Sequence, residues 1–242
     1  QPPLLLLEAL VLLAGDGERP QGPVFGDERG DRHHRRPGGV LGVLRPEVAV
    51  CEDRAPLQQG AAGQRAQVAG QVGAAVHRGR PPAELTGALA DIPHLRRLRI
   101  HSRLPIVVPE RVDDGLMGWL STLPWPVTLV VHANHANEFD GTVDAALGRL
   151  RAAGVHLLNQ AVLLRGVNDS VDALAALSER GFAAGVLPYY LHQLDRVAGV
   201  AHFEVDDAHA RALHAGLAAR LSGYLVPRLV REIPGDTGKR PL

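Results

Sequence analysis

Four short apolar runs recur at intervals of roughly 30 residues, the length of one strand–helix–strand unit, and this spacing constrains the fold most strongly. The runs are typical of buried strands: Leu98–Ile100, Val127–Val131, Val155–Leu158 and Gly185–Tyr190. Helical patterns fill the intervals and follow the last run: Val112–Leu120, Asp140–Ala153, Val171–Arg180 and Asp207–Leu221. Alternating strands and helices predict an α/β protein with a parallel sheet, either open or closed into a barrel.

Cap and stop residues set the expected helix boundaries. Asp169 or Ser170 is expected to cap the third helix, because short polar side chains accept hydrogen bonds from the first turn. Glycines follow the patterns and are expected to end the last three helices: Gly154, Gly181 and Gly223.

Polar residues collect at the carboxyl end of each apolar run. The four groups are His101–Arg103, His132–Glu138, Asn159–Gln160 with Arg165, Asn168 and Asp169, and Tyr189–Asp195. Any one such group is explained as well by turn and capping chemistry. Four groups in register favour a site, since barrel enzymes place their active sites at the carboxyl ends of the strands.

Lys239 is the only lysine of the chain, and it lies in a Gly- and Pro-rich segment. Arg occupies every other basic position apart from histidine, so a single Lys suggests chemistry that a guanidinium cannot perform. A neutral amine forms an imine with a carbonyl group, whereas arginine does not. The alternative is a lysine on a solvated tail.

Charge, cysteine content and hydropathy exclude several classes of protein. Lys plus Arg and Asp plus Glu each number 26 in these 242 residues, so the basic excess of a nucleic-acid-binding protein is absent. A single cysteine, Cys51, excludes a disulfide scaffold. The most apolar window, Leu4–Ala14, is interrupted by Glu8 and is too short to span a membrane. It is also a poor signal peptide, so a cytoplasmic protein is expected.

Residues 1–82 differ in composition from residues 83–242. They contain no Ser, Thr, Ile, Asn, Lys, Met, Tyr or Trp, and Phe25 is their only aromatic residue. One interpretation is a low-complexity, disordered region. The other is a misread frame, because GC-rich DNA read out of frame encodes this set of residues. We therefore expect a domain boundary after residue 82.

Histidines supply an alternative type of site. His132 and His135 are two members of a possible zinc set, for which His101, His192 or His202 could add a ligand. Scattered histidines occur more often in turns. A metal-dependent hydrolase is the function that a zinc set would predict.

The chain from Ile92 to Leu242 resembles the lysine 2,3-aminomutase family, radical S-adenosylmethionine enzymes that also use pyridoxal phosphate. Six segments carry the resemblance: Ile92–Pro105, His132–Glu138, Leu158–Gln160 with Leu163–Asp169, Leu187–His192, Ala201–Phe203 and Ser222–Pro227. The resemblance implies the carboxyl-terminal part of a partial (β/α) barrel of the radical S-adenosylmethionine type. It also implies conversion of L-lysine to β-lysine by migration of the amino group.

The resemblance also implies roles for residues. Lys239 matches the lysine that holds pyridoxal phosphate as an imine. Asp195 and Glu232 match the carboxylates that hold the substrate ammonium, since a buried cation needs a counter-charge. His135 and Gln160 fall on the S-adenosylmethionine side of the site. The remaining expected cofactor contacts are Arg103, Asn134 and Tyr190.

Glu232 replaces the aspartate that is usual in free-lysine mutases. With Arg231–Ile233 and Tyr190–Asp195, it makes the chain more similar to the branch that serves β-lysylation of elongation factor P. Lysine is therefore the expected substrate, and elongation factor P with its lysyl ligase is the expected functional link. Nucleic acid and membrane are not expected partners, and a homo-oligomer is possible.

The chain departs from the family in its amino-terminal part. The Cys-x-x-x-Cys-x-x-Cys motif, whose thiolates bind the [4Fe–4S] cluster, is absent, and so is a Ser-Gly-Gly-Asp-Pro-like strand end. No cluster ligand is expected in this chain, and the chain as written is expected to be inactive. A non-catalytic remnant that binds pyridoxal phosphate or a partner is therefore an alternative.

An incomplete barrel is also expected. Val40–Leu44 and Val48–Val50 are the only strand-like runs before residue 83, which predicts an exposed sheet edge.

Overall fold

The computed structural model describes residues 47–51, 86–87, 90, 95–195, 199–233 and 239–242. All of them lie within the unit that spans Arg45–Leu242. The boundary predicted after residue 82 and the run Val40–Leu44 lie outside the described residues.

Seven strands form one sheet. They are β1 (Glu47–Cys51), β2 (Arg97–His101), β3 (Val127–Val131), β4 (His156–Val162), β5 (Leu187–His192), β6 (Arg228–Arg231) and β7 (Arg240–Pro241). Their order in the sheet is their order in the chain. The pairs from β2 to β6 are parallel, whereas β1 and β7 add antiparallel strands at the two edges. Sequential parallel order without a reversal is the winding of a barrel, so the predicted partial (β/α) barrel is confirmed.

Between Arg97 and Leu242, the described residues form five α-helices that connect or follow the strands: α1 (Leu104–Val107), α2 (Asp114–Ser121), α3 (Gly141–Ala152), α4 (Val171–Ala183) and α5 (Asp207–Arg220). Short 3-10 turns lie between them at Pro109–Arg111, Ala136–Glu138, Ala201–Phe203 and Gly223–Leu225. None of the helices in the described part of the chain is long and apolar enough to cross a membrane.

The hydrophobic core lies between one face of the sheet and the helices. Leu147 and Leu150 of α3, Leu174 of α4 and Leu217 of α5 are almost fully buried in it. Alternate residues of the strands complete it, and Leu147 and Leu150 are three residues apart on α3, as expected for one buried stripe. The opposite face of the sheet is left for the polar side chains.

Several boundaries differ from those predicted, and the differences have local causes. Helix α2 begins two residues late, because Asp113 Oδ1 accepts a hydrogen bond from Leu116 N at 2.8 Å. Ser170 caps α4, whereas Asp169 accepts from Gly166 N instead. Gly181 does not end α4, because the helix continues to Ala183 and it is Gly185, with a φ of 81°, that follows its cap residue Ala184.

The sheet also differs from the predicted one. Asn159 and Gln160 lie within β4, not beyond its end, because the strand extends to Val162. The predicted run Val48–Val50 is confirmed as part of β1. It pairs with the edge of β2 that was expected to be exposed.

Candidate functional site

The polar site lies on the face of the sheet opposite the helices. Side chains alternate along a strand, and Ile100 of β2 belongs to the core, so His101 points to the other face. The same alternation applies to His132, which follows Val131 of β3, and to His192, which follows Leu191 of β5. Because these strands are parallel, their carboxyl ends lie side by side along one end of the sheet, which is the edge meant below.

Three histidines of this edge form one group. The rings of His101 and His132 are 5.8 Å apart and nearly perpendicular, and His192 contacts the ring of Tyr190 at 5.6 Å. Burial lowers the pKa of His101 and of His192 to about 3 and that of His132 to about 4. Positive charge adds to burial in each case, and Lys239 contributes to all three. The three imidazoles are therefore neutral near pH 7.

Lys239 reaches the same edge through the β6–β7 pairing. Val230 pairs with Pro241 and Arg231 with Arg240, so the next residues outward on the two strands are Glu232 and Lys239. Lys239 Nζ lies 3.5 Å from Glu232 Oε1 and 5.5 Å from the centre of the Tyr190 ring. Its side chain is only 21% exposed. The lysine thus lies in the site and not on a solvated tail.

Asp195 and Glu232 share the charge of Lys239. Burial raises the pKa of Asp195, the negative charge of Glu232 raises it further, and Lys239 opposes both. Two carboxylates face one ammonium group, which leaves the trio with a net negative charge. Such a site favours a second cation.

Several buried polar atoms of this face have no hydrogen-bond partner within the described residues, among them His132 Nε2, His192 Nε2 and Gln160 Oε1. His192 and Gln160 are only 5% and 8% exposed. Buried polar groups are normally paired, so each of these atoms calls for a partner that is not part of the described chain. Their shared location makes this face a candidate binding surface.

The loop after β3 is held by Glu138, a residue whose role the sequence did not reveal. Its carboxylate accepts hydrogen bonds from Asn134 N at 2.6 Å and His135 N at 2.9 Å, and it pairs with Arg103 Nη2 at 2.7 Å. His135 Nδ1 in turn accepts from Asn137 N. Arg103 and His135 thus fix the loop, and their predicted cofactor contacts stay predictions.

Asn168 joins this loop to β4 and was also missed as a functional residue. It is fully buried, its Nδ2 donates to Asn134 O and Val162 O, and its Oδ1 accepts from Leu164 N. Asn134 Oδ1 accepts from Val162 N. In the sequence, Asn168 appears only as an asparagine that follows an apolar run, and asparagines are equally common in turns.

The described residues contain no group of three His, Cys, Asp or Glu side chains that could hold a metal ion. His135 faces its own turn, and His202 stacks on Phe203 at 4.0 Å. The zinc site that a hydrolase would need therefore gains no support from these residues.

Comparisons with known proteins agree with the motifs. No family model matches the chain. It is 54% identical over 154 residues to an L-lysine 2,3-aminomutase of Escherichia coli, a match that covers 64% of this chain and 45% of the relative. The corresponding enzymes of Haemophilus influenzae and Clostridium subterminale are 48% and 40% identical, over 62% and 64% of this chain and 45% and 37% of theirs.

The chain thus spans about half the length of the curated relatives that it matches. Among solved structures, a radical S-adenosylmethionine methyltransferase from Sphaerobacter thermophilus superimposes with a TM-score of 0.38 and 18% identity, over 48% of this chain and 37% of that one. The resemblance that the motifs indicate is confirmed by the curated relatives: over nearly two thirds of its length, this chain is similar to the lysine 2,3-aminomutase family.

Proposed function

We propose that the chain forms part of a lysine 2,3-aminomutase-type isomerase, which moves the α-amino group of lysine to the β-carbon. The observation that carries this proposal is the position of Lys239, whose ammonium group lies beside Glu232 and Tyr190 in a site of neutral histidines. The names of the relatives support the same reaction.

The residues present fit pyridoxal phosphate. Lys239 is largely buried, and the unpartnered atoms of His132, His192 and Gln160 lie on the same face. Lys239 would hold the cofactor through its amino group, with Tyr190 against it. When bound, pyridoxal phosphate supplies an electrophilic carbonyl and a conjugated ring that stabilises charge or an unpaired electron next to the nitrogen.

The other residues of the chain would orient the substrate. Asp195 and Glu232 bind its side-chain ammonium, since the pair carries one more negative charge than Lys239 balances. The three imidazoles stay neutral and so do not repel that cation.

The residues present do not fit a [4Fe–4S] cluster. The cluster needs three thiolates, whereas these 242 residues contain one cysteine. The described residues provide no alternative set of metal ligands. No radical step, and no role for S-adenosylmethionine, follows from this chain's own residues.

We further propose that the product serves the β-lysylation of elongation factor P. Support comes from Glu232 and its neighbours Arg231 and Ile233, which are similar to that branch. A coupled assay tests this link: the isomerase of which this chain forms part, with its cluster in place, should supply β-lysine for transfer to elongation factor P by its ligase. Transfer of α-lysine alone would contradict it.

Borohydride trapping tests the cofactor assignment. Lys239 is the only lysine, so reduction in the presence of pyridoxal phosphate should give one side-chain adduct, located by peptide mass mapping. The variant Lys239→Arg keeps the charge and should give none, since a guanidinium does not condense with the carbonyl. An unchanged cofactor spectrum in that variant would remove Lys239 from the site.

A second candidate is a remnant that binds pyridoxal phosphate without radical chemistry, and the single cysteine favours it. Anaerobic reconstitution with iron and sulfide distinguishes the two candidates. Iron bound at about four atoms per chain with formation of β-lysine supports the mutase. Adduct formation at Lys239 with neither iron nor β-lysine supports the remnant.

A further inference from the structure

Helix α5 begins with an acidic residue, Asp207, that contacts β6 and the segment just after β5, close to the two carboxylates proposed to bind the substrate ammonium. Asp207 forms a two-pronged ion pair with Arg231: Nη1 donates to Oδ2 at 3.1 Å, and Nη2 donates to Oδ1. Oδ1 also accepts a hydrogen bond from Gln193 Nε2 at 3.2 Å. Paired bonds of this kind fix orientation as well as distance.

The two partners of Asp207 flank the carboxylates in sequence. Arg231 immediately precedes Glu232, and Gln193 lies two residues before Asp195. Gln193 is 3% exposed, and its backbone N–H donates to Val230 O at 2.8 Å, which joins the two chain segments directly. Its Nε2 also donates to Val205 O at 2.7 Å, so the segment before α5 is part of the same cluster.

The side chains of Arg231 and Glu232 point to opposite faces of the sheet. Arg231 reaches the helix side of the sheet, where it meets Asp207, and Glu232 reaches Lys239 on the other side. A shift of the backbone at Arg231 is therefore expected to displace Glu232 as well, because the two residues are neighbours in the chain and their side chains extend to opposite faces.

We propose that Asp207 is a positioning residue that sets the separation of Asp195 and Glu232, and so makes the site selective for a substrate with a side-chain ammonium group. This inference rests on the proposed function, which places that ammonium between the two carboxylates. Asp207 itself touches neither the substrate nor the cofactor.

Two ligands that differ in the ammonium group provide the test. L-Lysine and L-norleucine differ by that charged group, so the ratio of their dissociation constants, measured calorimetrically on the chain loaded with pyridoxal phosphate, reports ammonium recognition alone. Asp207→Asn should lower the preference for L-lysine about tenfold, as expected for one misplaced charge-assisted contact. Trapping of the cofactor at Lys239 should be unchanged.

The neighbouring residue supplies a matched control. Asp206 caps α5 by accepting from His209 N at 2.9 Å, and Asn caps equally well. Asp206→Asn should therefore retain the full preference for L-lysine. Arg231→Lys keeps the charge but breaks the two-pronged pair, and it should reproduce the loss seen in Asp207→Asn.

A measurement without ligand separates this inference from the proposed function. Carboxyl-carbon NMR of Asp195 should show its raised pKa move toward the ordinary value in Asp207→Asn, because Glu232 moves away, and stay in place in Asp206→Asn. Identical titrations in the two variants would overturn the positioning role. If Asp195→Asn leaves the preference for L-lysine intact, the proposed substrate contact fails, while the titration still decides the role of Asp207.

Discussion

Lys239 and Asp195 show what single residues reveal before a structure is known. Lys239 stands out because no other lysine exists in the chain, and Asp195 was identified through the family resemblance. Glu138, Asn168 and Asp207 gave no such signal. Each of them has at least one partner 24 to 35 residues away, which sequence spacing does not bring together.

The buried histidines make the free energy of unfolding depend on pH. Their pKa is 6.5 in the unfolded chain and about 3 to 4 in the folded one, so between these values the unfolded state binds more protons. Acid therefore destabilises the fold, by roughly 1.4 kcal/mol per pH unit for each histidine. Asp195, whose pKa is raised from 3.8, opposes this only at the acid end.

Urea unfolding at pH 7.5, 6 and 5 should show this loss. His132→Gln should reduce the slope with pH, whereas His156→Gln, at an exposed position of β4, should leave it unchanged. Equal slopes in all three proteins would mean that His132 is not a buried neutral group.

At the scale of elements, the sequence patterns predicted β2 to β5 and helices α2 to α5, but not the short helix α1. They missed β6 and β7, because Leu229 and Val230 are too few to form a recognisable run and β7 contains only Arg240–Pro241. Pairing with neighbouring strands defines both, and it is this pairing that delivers Lys239 to the site.

Asn168 should be the residue on which the carboxyl ends of β3 and β4 depend most. Its three hydrogen bonds satisfy buried backbone groups, so Asn168→Ala should lower the free energy of unfolding by about 2 kcal/mol or more. Asn137→Ala, at an exposed position of the same loop, should cost little. Equal stabilities of the two variants would contradict this view of the loop.

For the whole molecule, β1 bears on the domain boundary predicted after residue 82. It lies before that boundary, yet five residue pairs join it to β2. Hydrogen exchange should therefore be slow in Glu47–Cys51, at a level similar to that of Arg97–His101. Rapid exchange there, with protection confined to residues beyond 82, would instead support the predicted two-part organisation.

The attachment of β7 by two residue pairs has a consequence for how the site is completed. An edge ladder this short opens at little cost, so Lys239 can leave while the remaining strands stay paired. A cofactor joined to Lys239 and in contact with β4 and β5 would connect the edge strand β7 to inner strands of the sheet. Pairing of β7 with β6 and binding of the cofactor would then be coupled equilibria. Each would stabilise the other.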